Sequence, residues 1–153
     1  MKRLSVLGLS AMLVVGLASL PGSTVAQQKS LKEQLVGTWT LVLCDSTTAD
    51  GAKAPYCVNP KGSFIIDANG QYAGMIVAGG RANAAAPGAV GNFGTWSVNE
   101  ADKTATFHYV GSLNPANEGT DLKLSISLAG DEMKGTGVTG AGTRVDLTWR
   151  RAK

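Results

Sequence analysis

From Val36 onward the sequence changes character at every other residue. In Asp121–Leu128 the apolar Leu122, Leu124, Ile126 and Leu128 alternate with Asp121, Lys123, Ser125 and Ser127. A period of two suits a strand with one buried and one wetted face, and does not suit a helix. Val145, Leu147 and Trp149 repeat the pattern against Arg144, Asp146, Thr148 and Arg150, as do Trp39, Leu41 and Leu43 near the start. Turn formers divide these stretches: Asn69-Gly70, Asn99-Glu-Ala-Asp102, Asn114-Pro-Ala-Asn117-Glu-Gly119, Gly130-Asp131 and Gly140-Ala-Gly142. The spacing predicts eight strands, at Val36–Cys44, Gly62–Asp67, Gln71–Ala78, Asn92–Val98, Thr104–Val110, Asp121–Leu128, Glu132–Val138 and Thr143–Arg150.

Most connections are short, so strands adjacent in sequence pair as antiparallel hairpins. A meander of eight strands leaves two unpaired edges unless the sheet closes on itself, and closure removes them. The predicted fold is all-β: an eight-stranded antiparallel up-and-down barrel, wetted outside and apolar within. Ahead of it, Ser30-Leu-Lys-Glu-Gln-Leu35 sets an N-cap serine three residues before Glu33, a capping box that predicts one or two helical turns. Two longer loops interrupt the meander. Asp45–Pro60 carries a cysteine, and Gly79–Gly91 is rich in small residues, with a turn of helix expected around Asn83–Ala86.

The first residues, Met1-Lys2-Arg3, precede the largely apolar run Leu4–Leu20 and the small-residue exit Pro21-Gly22-Ser23-Thr24-Val25-Ala26. These are the parts of a secretory signal, so residues 1–26 are read as a signal peptide cleaved after Ala26, leaving one domain at 27–153. A membrane span needs about 20 strongly apolar residues, whereas Gly8, Ser10, Gly16 and Ser19 interrupt this run. The destination is the periplasm or the medium, with no stable membrane insertion after cleavage. Losing Lys2 and Arg3 leaves 12 basic against 11 acidic side chains, a net charge of +1. A near-neutral surface argues against nucleic acid as a partner, because that binding rests on neutralising phosphates.

Cys44 and Cys57 form an isolated pair in the exported part, which reads as one disulfide stabilising by roughly 3 kcal/mol. One histidine, His108, and no Cys-x-x-Cys give little support to a metal site. No Gly-x-Ser-x-Gly is present to seat a nucleophile, and His108 faces solvent if its neighbours Phe107 and Tyr109 face inward. No catalytic residue and no cofactor is expected. The inward face, taken as a cavity lining, comprises Leu41 and Leu43, then Ile66, Met75 and Trp96. On the later strands it continues with Phe107, Tyr109, Leu124, Ile126, Met133 and Leu147. Tyr72 joins Phe107 and Tyr109 as a candidate for an open mouth, Met75 and Met133 suit an adaptable wall, and Gly135 and Gly137 leave space.

Gly37-Thr38-Trp39 opens the first strand and Trp149-Arg150-Arg151 ends the last. This pairing resembles the lipocalin and wider calycin pattern. It implies barrel closure by Gly37, Trp39 and Trp149 with Arg150 or Arg151 stacked on the Trp39 indole, a contact of about 1 kcal/mol. Together with Leu35-Val-Gly-Thr-Trp39, Pro60-Lys-Gly62 and Phe93-Gly-Thr-Trp96, the order of motifs is similar to the bacterial lipocalin-like domain family. Phe107-His108-Tyr109, Ser112-Leu-Asn-Pro115 and Gly119 continue the likeness, while the arginine that the family would carry on the next strand is missing, Lys123 being the nearest basic residue.

The resemblance implies a binding protein that holds a small hydrophobic molecule inside the barrel, entering between the Asp45–Pro60 and Gly79–Gly91 loops. An alternative is a barrel acting through protein contact, such as a protease inhibitor that uses the polar lead Gln27-Gln28-Lys29-Ser30. A cyclase or isomerase acting on an apolar substrate ranks last, because no acid–base pair stands out.

Overall fold

The computed structural model describes residues 29–79 and 88–153. Residues 1–26, expected to be a signal peptide, Gln27 and Gln28, and the helical turn expected at Asn83–Ala86 lie outside the described residues. A short helix, α1 (Leu31–Leu35), precedes β1 (Gly37–Cys44), β2 (Lys61–Ile66), β3 (Gln71–Val77) and β4 (Ala89–Asn99). β5 (Thr104–Ser112), β6 (Asp121–Ala129), β7 (Glu132–Val138) and β8 (Arg144–Arg151) complete the chain. Each strand pairs antiparallel with the next and β8 pairs with β1, closing the eight-stranded barrel that the alternation predicts.

The β4 boundary moves furthest from its prediction, beginning at Ala89 rather than Asn92. Ala89, Val90 and Gly91 read as loop by composition, but the β3 ladder recruits them opposite Val77, Ile76 and Met75. Cross-strand pairing here overrides a weak local preference.

β1 rises from the base of the barrel to its open end. At the base, α1 lies across the opening, with its own Leu35 and the Trp39 of β1 both fully buried, each such side chain contributing about 1.5–3 kcal/mol. The capping box forms: the Ser30 hydroxyl accepts from the Glu33 N–H, and the Glu33 carboxylate accepts from the Ser30 N–H. Glu100, in the β4–β5 turn, adds a second cap, its carboxylate accepting from the Leu31 and Lys32 N–H groups at 2.8 and 3.0 Å. A carboxylate there satisfies orphan donors and meets the positive end of the helix dipole. The Trp39 indole donates to the Leu35 carbonyl at 2.9 Å, tying helix to barrel.

Arg151 is the closing arginine. Its guanidinium lies 4.3 Å from the Trp39 ring and donates to the Val36 and Gln34 carbonyls at 2.9 and 2.5 Å. Gly37, at φ +137°, leaves room for it, since a Cβ there would stand 2.6 Å from Nη1. Arg150 does not take part: strand parity turns it outward, where it meets Glu132 at 3.5 Å. Trp149 is no part of the base either. It pairs with Leu41, farther along β1 than the Trp39–Arg151 rung, and points into the interior.

At the open end, the Cys44–Cys57 disulfide forms and pins a 3-10 turn, Pro55–Cys57, to the end of β1. The same loop is held by the Ser46 hydroxyl, which accepts from the Asp146 N–H, and by the Gly79 N–H, which donates to the Val58 and Asn59 carbonyls. Two irregularities bend the barrel. One lies between Leu41 and Leu43 on β1, the other between Phe93 and Gly94 on β4, opposite Val110 of β5. A bulge inserts one residue and reverses the facing of the residues beyond it.

Candidate functional site: a small cavity at the open end of the barrel

Side chains from α1 and the lower rungs pack the base, and a cavity lies towards the open end. Its volume is about 120 Å³. Phe64, Tyr72, Phe107 and Trp149 form an aromatic floor with ring centroids 5.0 to 5.8 Å apart, mostly edge to face. Ile76, Val90, Leu122, Leu124, Val145 and Leu147 make the apolar wall. Tyr56 from the disulfide-pinned turn, Asn117 from the β5–β6 connection and Thr139 from the β7–β8 connection stand at the rim. The disulfide therefore positions a lining residue, since Tyr56 directly precedes Cys57.

Of the residues assigned to the lining by parity, Phe107, Tyr109, Leu124 and Leu147 meet there. Ile66, Trp96, Ile126 and Met133 are buried in the core outside the cavity wall. Trp96 donates its indole N–H to the Asp67 carbonyl at 3.0 Å, which anchors the β2–β3 turn. Leu41 is half-buried between the main core and the disulfide. Leu43 is not inside: the β1 irregularity reverses its facing and leaves it 46% exposed opposite Thr148. Met75 borders the cavity but is 50% exposed, because its β3 parity is opposite to that of the inward Tyr72 and Ile76.

The space expected at Gly135 and Gly137 is taken by Leu124, whose methyl carbons lie 3.2 and 2.9 Å from where Cβ atoms would stand. Phe64 likewise folds over Gly74, where a Cβ would stand 2.6 Å from its ring. Parity alone could have found Phe64, which shares the inward face of β2 with Ile66. Val90 is hidden in the sequence by the loop-like composition around it. Trp149 reads as a base residue only because its motif adjoins Arg150 and Arg151.

Among the described residues, the lining carries no Lys, Arg, His, Asp or Glu. Its polar side-chain groups are three phenols, the Trp149 indole N–H, the amides of Asn92 and Asn117 and the Thr139 hydroxyl. Burial pushes the Tyr109 phenol up to about 12 and raises Tyr72 further, the Tyr109 phenol adding to the latter effect. Burial also raises Tyr56, with Ser46 partly offsetting it. All three therefore stay neutral hydrogen-bond donors across the physiological range. Such a site can hold an uncharged molecule and orient one polar group on it. His108 lies elsewhere, exposed on the outer face, its Nδ1 2.7 Å from Asp121 Oδ1 across the β5–β6 rung.

A wider, open depression of about 660 Å³ crosses the outer face of β2–β5. Phe93 lies over Gly111 and Leu113 over Gly91, so these exposed side chains cover backbone that glycine leaves bare.

No family profile and no curated protein matches the chain. Among solved structures, one similar chain is a redesigned β-barrel, 16% identical, with 81% of this chain and 96% of that one covered and a TM-score of 0.49.

Proposed function

We propose that this chain is an exported binding barrel that holds one small, uncharged, apolar molecule at its open end. The observation that carries the reading is the 120 Å³ cavity, apolar in its walls and free of charged side chains among the described residues. A volume of this size is below the roughly 300 Å³ of a drug-sized pocket and close to the ~150 Å³ that accommodates benzene in an engineered protein cavity. Long fatty acids and retinoids are therefore too large for the interior, and molecules of one ring suit it. The Gly-Thr-Trp opening and the Trp39–Arg151 stack support a lipocalin-like binding role by resemblance. The disulfide supports an oxidising destination, and the N-terminal sequence of the exported protein is expected to begin at Gln27.

The test is calorimetric and thermal titration of the purified exported protein with toluene and cyclohexane. A ligand at 100 times its Kd stabilises by about 2.7 kcal/mol, a shift that a melting curve resolves. Val145→Phe, which puts a ring into the space, is expected to abolish that shift while the protein stays folded. Titrations that leave the wild-type melting curve unmoved at ligand saturation in water refute the reading.

A further inference from the structure

Five large apolar side chains along the outer depression of β2–β5, Ile65, Met75, Phe93, Val110 and Leu113, are 50% to 60% exposed. Together they offer on the order of 500 Å² of apolar surface, at the upper end of the ~300–600 Å² that the largest patch on a monomeric protein reaches. The relief of this face is regular. Across one rung Ile65, Ala73, Phe93 and Gly111 alternate large and small, and across the next Ser63, Met75 and Gly91 alternate in the opposite phase. Phe93 leans over Gly111 and Leu113 over Gly91, which leaves the exposed Ser63 and Ala73 as shallow holes between knobs. Among the described residues that line the depression, Glu118 alone is charged, and its carboxylate accepts from the Ser112 N–H at 3.3 Å.

We infer that a second copy of this chain docks on this face, sheet against sheet, in a twofold-symmetric dimer. The inference is independent of the binding role proposed above. Because the eight strands close on one another, docking by strand addition has no edge to use, and a face must serve instead. The area matches what a stable dimer needs. A standard interface buries about 800 Å² per partner, of which ~65% is apolar in homodimers, or ~520 Å²; the five side chains supply that amount. In a twofold contact one patch meets itself, so it must carry both the knobs and the holes. Met75 and Phe93 set against a partner's Ser63 and Ala73 meet that condition, in the way that packed sheets interdigitate. The centre of the face carries no charge to strand on burial, and a net charge of +1 over residues 27–153 lets two copies approach with little repulsion.

Sedimentation equilibrium of the purified protein at about 1–100 μM is expected to show monomer and dimer with a micromolar or tighter dissociation constant, the range that interfaces of this size occupy. Phe93→Lys and Leu113→Lys each bring a charge from both copies into the interface, and each is expected to raise that constant at least about thirtyfold. Both side chains are exposed in the single copy, so the variants should keep the circular dichroism of the folded barrel. If losing the ring over Gly111 unfolds the first, the second carries the test. Val138→Lys is the control, because Val138 is more exposed than any of the five but lies on β7, outside this face; it should leave the constant within about twofold. A wild type that stays monomeric at ~100 μM overturns the inference, and its capture by phosphatidylcholine vesicles would then assign the face to lipid. A dimer that survives both F93K and L113K, or that V138K weakens as much, overturns the placing of the interface here.

Discussion

Replacing Arg151 by methionine keeps the aliphatic stem and removes the guanidinium that ties three parts of the base together. Two of the lost contacts are charged hydrogen bonds to the Val36 and Gln34 carbonyls, at 2.9 and 2.5 Å. The third is the stack on Trp39 at 4.3 Å. Hydrogen bonds to charged groups contribute about 1.5–3 kcal/mol each, and the side chain is 33% exposed, which places these at the lower end. The cation–π contact adds about 0.5–1 kcal/mol. The Asp131 carboxylate at 3.9 Å is well exposed and adds little. The expected loss is therefore about 3–4 kcal/mol, or roughly 10–15 °C in Tm for a domain of this size. Urea unfolding followed by tryptophan fluorescence, with the disulfide intact, measures it. Arg150→Met is the internal control, since Arg150 is exposed and reaches Glu132 only at 3.5 Å; its cost should stay within about 0.5 kcal/mol. A loss for Arg151→Met below about 1 kcal/mol, or equal costs for the two arginines, refutes the assignment of Arg151 as the closing residue.

The Cys44→Ala/Cys57→Ala double variant removes a crosslink across 13 residues and should lose roughly 3 kcal/mol, read as a lower urea midpoint. It should also weaken ring-ligand binding, because Tyr56 is no longer held at the rim; binding equal to wild type would separate the loop from the site. Alkaline stability depends on the phenols. In the unfolded chain tyrosine loses its proton near pH ~10, while in the fold Tyr109 holds it to about 12 and Tyr72 and Tyr56 are also raised. Between those values the folded state binds more protons, so the phenols' contribution to stability is constant below about pH 10 and falls as pH rises towards about 12. Phenolate absorbance should accordingly appear from these tyrosines together with unfolding. Their ionisation near pH ~10 in a protein still folded would contradict their burial.

Much of this molecule was legible in its order of residues. The period of two assigned Leu122, Leu124 and Ile126 to the inside, and the spacing of turn formers set the number of strands. The capping box at Ser30 and Glu33 and the pairing of Cys44 with Cys57 are short-range features that their own residues specify. The solvent-facing His108 accords with the inward Phe107 and Tyr109. Parity failed where the chain gains a residue. A run of Trp39, Leu41 and Leu43 reads as one face, yet the irregularity between Leu41 and Leu43 reverses the last of them. Such a shift is set by the β8 partner, and nothing within β1 itself announces it.

The choice between Arg150 and Arg151, the inward place of Trp149 and the start of β4 at Ala89 were likewise decided by register against a neighbouring strand. The cavity lies furthest from anything local. It is the volume left after Phe64 has folded over Gly74, Leu124 has filled the space beside Gly135 and Gly137, and α1 has stopped the base. The alternation of the sequence determined that this protein would enclose an apolar interior, because facing is a property of each strand alone. Only the tertiary structure decided how much of that interior stays empty, and that the buried Tyr72 hydroxyl would find no partner among the described residues, because packing is a property of all eight strands at once.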